Sequence, residues 1–180
     1  MKKAYIITEG SFDAELLKKL LPKNKTRDIE FVVGSGRYSA QSLARTLLAN
    51  RQIPVALVLD ADTTNEKNIQ EQKDFLEELL RQAASDTKFE VFLVEPEMEA
   101  LLVETPSIIE KLTKKHFSKM ELRLAKLHPR KFLADALEES NQTGGKRLQL
   151  VKDLDEQAIK ALRRHPLVTS LNSFLSSIAA

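Results

Sequence analysis

The chain has 180 residues, 42% of them hydrophobic, 30% charged and 6% aromatic, with no cysteine and no tryptophan. Its apolar fraction excludes a disordered chain, and the lack of cysteine excludes a disulfide framework, a thiol nucleophile and a thiolate zinc site. The net charge of +2 divides unevenly: residues 1–104 carry 14 basic and 18 acidic side chains (net −4), and residues 105–180 carry 14 and 8 (net +6).

The opening segment MKKAYIITEG has an apolar patch too short for the h-region of a signal peptide and reads as a first strand. Its β-favouring run Ala4 to Thr8 stops at Glu9-Gly10, after which Phe12, Leu16, Leu17, Leu20 and Leu21 recur at helical spacing as far as Pro22. The pattern then repeats. Ile29 to Val33 is a second strand, Gly34-Ser35-Gly36 a turn, and Ala40, Leu43, Ala44, Leu47 and Leu48 mark one face of a helix. Pro54 opens the run VALVL, which ends in Asp60-Ala61-Asp62, and Ile69, Phe75, Leu76, Leu79, Leu80 and Ala83 stripe the helix that follows. Phe89 to Val94 is the fourth strand.

Short apolar strands alternating with amphipathic helices describe a parallel sheet covered on both faces, because every parallel crossover needs a helix. The expectation is a four-stranded, doubly wound α/β domain over residues 1–96 with sheet order 2-1-3-4. From Glu97 onward only helical patterns occur, with apolar stripes at Leu124 and Leu127, Leu133 and Leu137, and Leu171, Phe174, Leu175 and Ile178. Residues 97–180 therefore read as a helical, basic extension packed on the sheet. Thr105-Pro106 has the form of a helix start, a capping hydroxyl before a proline, and residues 140–145 (SNQTGG) read as a loop. No apolar run approaches the roughly 20 residues of a membrane helix, and a cytoplasmic protein is expected.

Ligands of open parallel sheets sit beyond the carboxyl ends of the strands. Here those ends are acidic: Glu9 after the first strand, Asp60 and Asp62 after the third, and Glu95, Glu97 and Glu99 after the fourth. Neighbouring first and third strands, about 4.8 Å apart, would bring Glu9, Asp60 and Asp62 to one pocket. A divalent cation resolves the repulsion of such a cluster, and an all-oxygen donor set selects Mg²⁺ or Mn²⁺ over zinc. Taken singly, each acid also reads as a solvated loop residue or helix cap.

ITEGSFDAELL and LVLDAD resemble the Toprim domain of topoisomerases, primases and OLD-family nucleases, over residues 4 to about 95. PEMEALL is similar to the further glutamate segment of the OLD nucleases and of small stand-alone Toprim-like proteins. The resemblance implies Mg²⁺-dependent hydrolysis of phosphodiesters in nucleic acid. It casts Glu9 as acid, base or metal ligand, Asp60 and Asp62 as metal ligands, and Glu99, in preference to Glu97, as an added ligand. It also nominates Lys146, in TGGKR, as a lysine from outside the core that reaches a transition-state charge. The chain departs from the pattern in following Asp-x-Asp with Thr63, Thr64 and Asn65 rather than a Gly-Glu pair, and it has no topoisomerase tyrosine domain, Tyr5 and Tyr38 being its only tyrosines. Two readings remain: a nuclease, or a non-catalytic module acting with an ATPase partner or a nucleic acid.

A rival uses the same residues. LVLDADTT also fits the Asp-x-Asp-x-Thr motif of haloacid-dehalogenase-type phosphatases, with Asp60 as nucleophile and Asp62 as acid/base. That motif belongs on a first strand and requires a later strand ending in paired acids, whereas VKDLDEQ follows no apolar strand.

Phosphate also needs donors. In VGSGRYS, Gly34 and Gly36 let the backbone approach an anion, Arg37 offers a fork and a helix N-terminus follows; a plain strand-to-helix turn is the alternative. In the basic half, Lys119, Arg123 and Lys126 share a helix face able to track a phosphate backbone, or simply to face solvent. The three histidines have no metal-ligand spacing.

Overall fold

The four apolar runs form the strands β1 (Ala4–Thr8), β2 (Ile29–Val33), β3 (Val55–Asp60) and β4 (Phe89–Val94) of a computed structural model that describes residues 2–138 and 145–179. They make one parallel sheet in the order β2-β1-β3-β4. In register, Ile7 lies between Val32 and Leu57, and Leu57 pairs onward with Val91. The crossovers are α1 (Ser11–Leu20) with the short α2 (Lys23–Thr26), α3 (Arg37–Arg51) and α4 (Glu66–Ala84). The remainder is helical: α5 (Ala100–Val103), α6 (Pro106–Thr113), α7 (Lys119–Leu127), α8 (Pro129–Leu137), α9 (Gly145–Asp153), α10 (Glu156–Leu162) and α11 (Pro166–Ala179). Residues 140–144 of the expected SNQTGG loop lie outside the described residues.

Because strand side chains alternate, the sheet divides its apolar residues between two cores. Ile7, Leu57, Leu59 and Val91 pack with Ala40, Ala44 and Leu48 of α3 and with Leu76 and Leu80 of α4. On the opposite face Ala4, Ile6, Ala56, Val58, Phe92 and Val94 meet Leu16, Leu17 and Leu20 of α1. Leu101, Leu133, Leu150, Leu171 and Phe174 of the helical half belong to that same core. The helical half thus covers the part of the sheet that α1 alone would leave wet. Among the described residues no helix is long and apolar enough to cross a membrane.

Three local expectations are corrected. Phe75, Leu124 and Leu127 are exposed rather than packed. A helix turns about 100° per residue, so with Leu76 and Leu80 seated in the core Phe75 is rotated outward, and with Ala125 seated Leu124 and Leu127 face out. Thr105 precedes Pro106 at the start of α6, but its side chain makes no capping hydrogen bond. Caps form instead at Asn65, which accepts from Asn68 N at 3.1 Å, and at Ser118, whose hydroxyl and the Glu121 carboxylate each accept from the other's backbone N–H.

Candidate functional site

The site is built where β1 and β3 end side by side. Glu9 follows β1, and its Oε1 accepts the backbone N–H of Asp60 at 3.0 Å, tying the two strand ends together. The turn after β2 is held against them, with Gly34 N donating to Thr8 O at 2.8 Å and Gly36 N to Glu9 O at 3.0 Å. A Cβ on Gly34 would lie 2.6 Å from Ala40, and Gly36 has φ of +119°, so these glycines allow a close helix approach and a left-handed turn.

Asp60, the last residue of β3, is 4% exposed. Its Oδ1 accepts from Met98 N at 2.8 Å, and its Oδ2 pairs with the Arg130 guanidinium. Glu99 is 1% exposed and is bound by two arginines, Arg130 Nε at 3.1 Å and Arg147 Nη1 at 2.8 Å. Glu97 Oε2 accepts Arg130 N at 3.0 Å, which fixes the start of α8 beneath these carboxylates. Asp13, buried in the first turn of α1, accepts Gly10 N at 3.0 Å. Glu9, Asp13, Asp60, Glu99, Arg130 and Arg147 line one cavity of about 340 Å³.

Burial sets the electrostatics. Desolvation raises Glu9 above the usual carboxylate range, against the Asp60 N–H and the Arg37 charge, which favour the anion. Desolvation pushes Asp13 up to about 6. For Asp60 desolvation and the neighbouring Asp13 charge outweigh Arg130, pushing it up to about 8. Arg130 is raised by Glu99, Asp60 and Glu97, against its own burial, and stays charged.

Asp62 does not share that cavity. Its backbone is left-handed (φ +54°), and its carboxylate faces Arg37 Nη1 at 3.5 Å on the α3–α4 side. Arg37 is not a free fork: it donates to Asp60 O at 2.9 Å and to Gln72 Oε1, while Gln72 Nε2 donates to Ala61 O at 3.0 Å. Together they brace the β3–α4 loop. Lys146 Nζ donates to Leu137 O at 2.8 Å and Glu138 O at 3.0 Å at the end of α8, so it lies at the helix terminus rather than in the carboxylate cavity. Lys119, Arg123 and Lys126 are exposed on α7, and none lines that cavity.

Asp13, the acid three residues after Glu9-Gly10 in the ITEGSFDAELL motif, also belongs to the site, as do Arg130 and Arg147, which read from the sequence only as members of the basic half. Asp13 stands one helical turn beyond Glu9, which is a usable signal. Arg130 is 70 positions from Asp60, and no local pattern connects them.

The donor set suits a hard divalent cation in its chemistry, being oxygen-only, desolvated and in need of positive charge. The Arg130 guanidinium supplies that charge at Asp60, and among the described residues no group of three Asp, Glu or His converges to hold a metal ion. A cation on Asp60 would therefore exchange with Arg130. The phosphatase reading lacks its second acid pair among the described residues: no strand follows β4, and Asp155 caps α10, accepting Ala158 N at 2.8 Å.

No protein-family model matches the sequence, and no curated protein matches it. Among solved structures, the chain resembles the C-terminal region of the Burkholderia pseudomallei OLD protein, with a TM-score of 0.59 and 13% identity over 100% of both chains. It also resembles the C-terminal region of the Xanthomonas campestris pv. campestris OLD protein, with a TM-score of 0.56 and 12% identity over 99% of this chain and 97% of that one. These likenesses show a Toprim-like α/β fold with a helical C-terminal part.

Proposed function

We propose that the chain is a Toprim-like nuclease module that hydrolyses phosphodiesters of nucleic acid with Mg²⁺ or Mn²⁺. The observation that carries this reading is the joining of Glu9 to Asp60 across adjacent strand ends, with both carboxylates desolvated and a cationic guanidinium on Asp60. Glu9 and Asp60 are the residues to hold the ion, with Glu99 beside Asp60 and Asp62 on the flank. Such an ion, when bound, supplies Lewis acidity toward a phosphoryl oxygen and a bound water of lowered pKa.

The protein's own groups do the rest. Glu9, whose carboxyl desolvation holds above the usual carboxylate range and whose Oε1 is fixed by Asp60 N, is suited to take or give a proton. Arg130 and Arg147, once freed from the carboxylates, present planar forks to anionic phosphate oxygens.

The same ion pairs favour a second reading. A site whose carboxylates stay closed by Arg130 and Arg147 would belong to a module that binds nucleic acid or an ATPase partner without cutting. Melting with and without metal separates the two. A ligand at a hundred times its Kd stabilises the native state by about 2.7 kcal/mol, so Mg²⁺ or Mn²⁺ is expected to raise the melting temperature of the wild type and not of Asp60→Ala. Glu9→Gln is expected to fold and to lose metal-dependent cleavage. Equal metal shifts in wild type and Asp60→Ala, with no cleavage by either, would replace the nuclease with the binding module.

A further inference from the structure

Tyr38 and Phe75 are the most exposed large apolar side chains among the described residues, at 85% and 64%. They come from different helices, α3 and α4, yet they line one cavity of about 450 Å³. That is within the roughly 300–1,000 Å³ of small-ligand sites. Neither ring is spent on another aromatic, since the ring pairs among the described residues are Phe92–Phe174 and Phe117–Phe132. A single exposed aromatic is unremarkable. Two lining one cavity offer exposed rings on which a flat π-system can stack.

The cavity lies against the candidate site. Ala61, Asp62 and Arg37 line it; Arg37 also bonds the carbonyl of Asp60, whose own carboxylate lines the other cavity. The polar lining is selective. Gln72 is committed to Arg37 and Ala61 O, but the side-chain amides of Gln41 and Asn68 make no hydrogen bond among the described residues and have both donors and acceptors to offer a ring edge. Asp62 would repel a phosphate there but tolerates a neutral ring.

We infer that the cavity between α3 and α4 holds an unpaired nucleobase, stacked on Tyr38 and Phe75 beside the strand-end carboxylates, which makes single-stranded nucleic acid the substrate class. This rests on the nuclease reading and narrows it. A base inside a duplex stacks on its neighbours and has no free face for these rings, whereas unpaired bases stack on aromatic side chains with little regard to sequence.

The test measures binding of labelled oligothymidine, oligouridine, an abasic strand of equal length and a duplex, with Mg²⁺ present on the Glu9→Gln background so that strands persist. Stacking contributes about 1–3 kcal/mol per base, so Tyr38→Ala and Phe75→Ala are each expected to weaken base-bearing single strands by about 5- to 150-fold. Tyr38→Phe should retain the affinity. The abasic strand should bind the parent about as weakly as oligothymidine binds the Tyr38→Ala/Phe75→Ala pair. Both positions are exposed, so melting temperatures should not move. Since the chain has no tryptophan and Tyr38 is the exposed one of its two tyrosines, tyrosine fluorescence should be quenched by oligothymidine and not by the abasic strand. Alanine variants that bind oligothymidine as the parent does, or a parent that binds the abasic strand equally well, would overturn the base site and leave the nuclease reading standing. A wild type that binds none of the strands would remove both.

Discussion

Asp13 shows how one buried carboxylate couples the site to pH. Its folded pKa is about 6 against an ordinary value of 3.8, because desolvation and the nearby Glu99 and Glu9 charges outweigh the Gly10 N–H and Arg130. The folded protein therefore keeps this proton in a range where the unfolded chain has released it. The contribution of Asp13 to stability is fully present below about pH 4 and is lost as pH rises to about 6, a span worth roughly 3 kcal/mol at 1.36 kcal/mol per pH unit. Asp13→Asn can still accept from Gly10 and has no proton to lose. Urea denaturation between pH 4 and 7 is expected to show a flatter profile for the variant and greater stability than the wild type at pH 7; parallel profiles would mean that Asp13 titrates normally.

The helices of the basic half deliver the counter-charges. The start of α8 is pinned by Glu97 to Arg130 N, which sets the Arg130 side chain across Glu97, Glu99 and Asp60, and α9 brings Arg147 to Glu99. Removing one partner of a buried ion pair costs about 3–5 kcal/mol. Arg130 is 43% exposed, so screening puts Arg130→Ala toward or below the low end of that range. If cation and guanidinium compete for Asp60, Mg²⁺ should restore part of the lost melting temperature in Arg130→Ala and shift it further than in the wild type. An Arg130→Ala protein indifferent to Mg²⁺ would remove Asp60 as a ligand.

At the scale of the whole molecule the two charge halves are not separate bodies. The acidic half carries Glu9, Asp60 and Glu99, the basic half carries Arg130 and Arg147, and one apolar core runs through both. What remains on the outside of the basic half includes Lys119, Arg123 and Lys126 along α7. If that face tracks a phosphate backbone, replacing the three with glutamine should flatten the salt dependence of binding by about 0.7–0.9 for each phosphate no longer neutralised. Metal-induced shifts in melting temperature should be unchanged, since none of the three lines the carboxylate cavity. An unchanged salt slope would make it an ordinary solvated face.

The order of the elements, the parallel sheet and the acidic strand ends are legible in the sequence, because they depend on local periodicity: an apolar run of five or six residues, a turn, then a stripe at helical spacing. Position at a strand end is a local property, so Glu9 and Asp60 can be placed at one edge of the sheet without knowing anything distant. Side-chain direction is not local. Asp62 turns to Arg37 because its own left-handed backbone and the Arg37–Gln72 brace aim it there, and Lys146 rather than Arg147 stands out in the sequence because only the packing of α8 and α9 decides which neighbour reaches Glu99. Phe75 reads as core because a helical stripe taken from sequence is broader than the face a sheet can cover. Sequence alone therefore determined which groups stand at the carboxyl edge; tertiary structure decided which cations meet them and which rings stay in water, since those depend on segments some 70 residues apart being pressed onto one core.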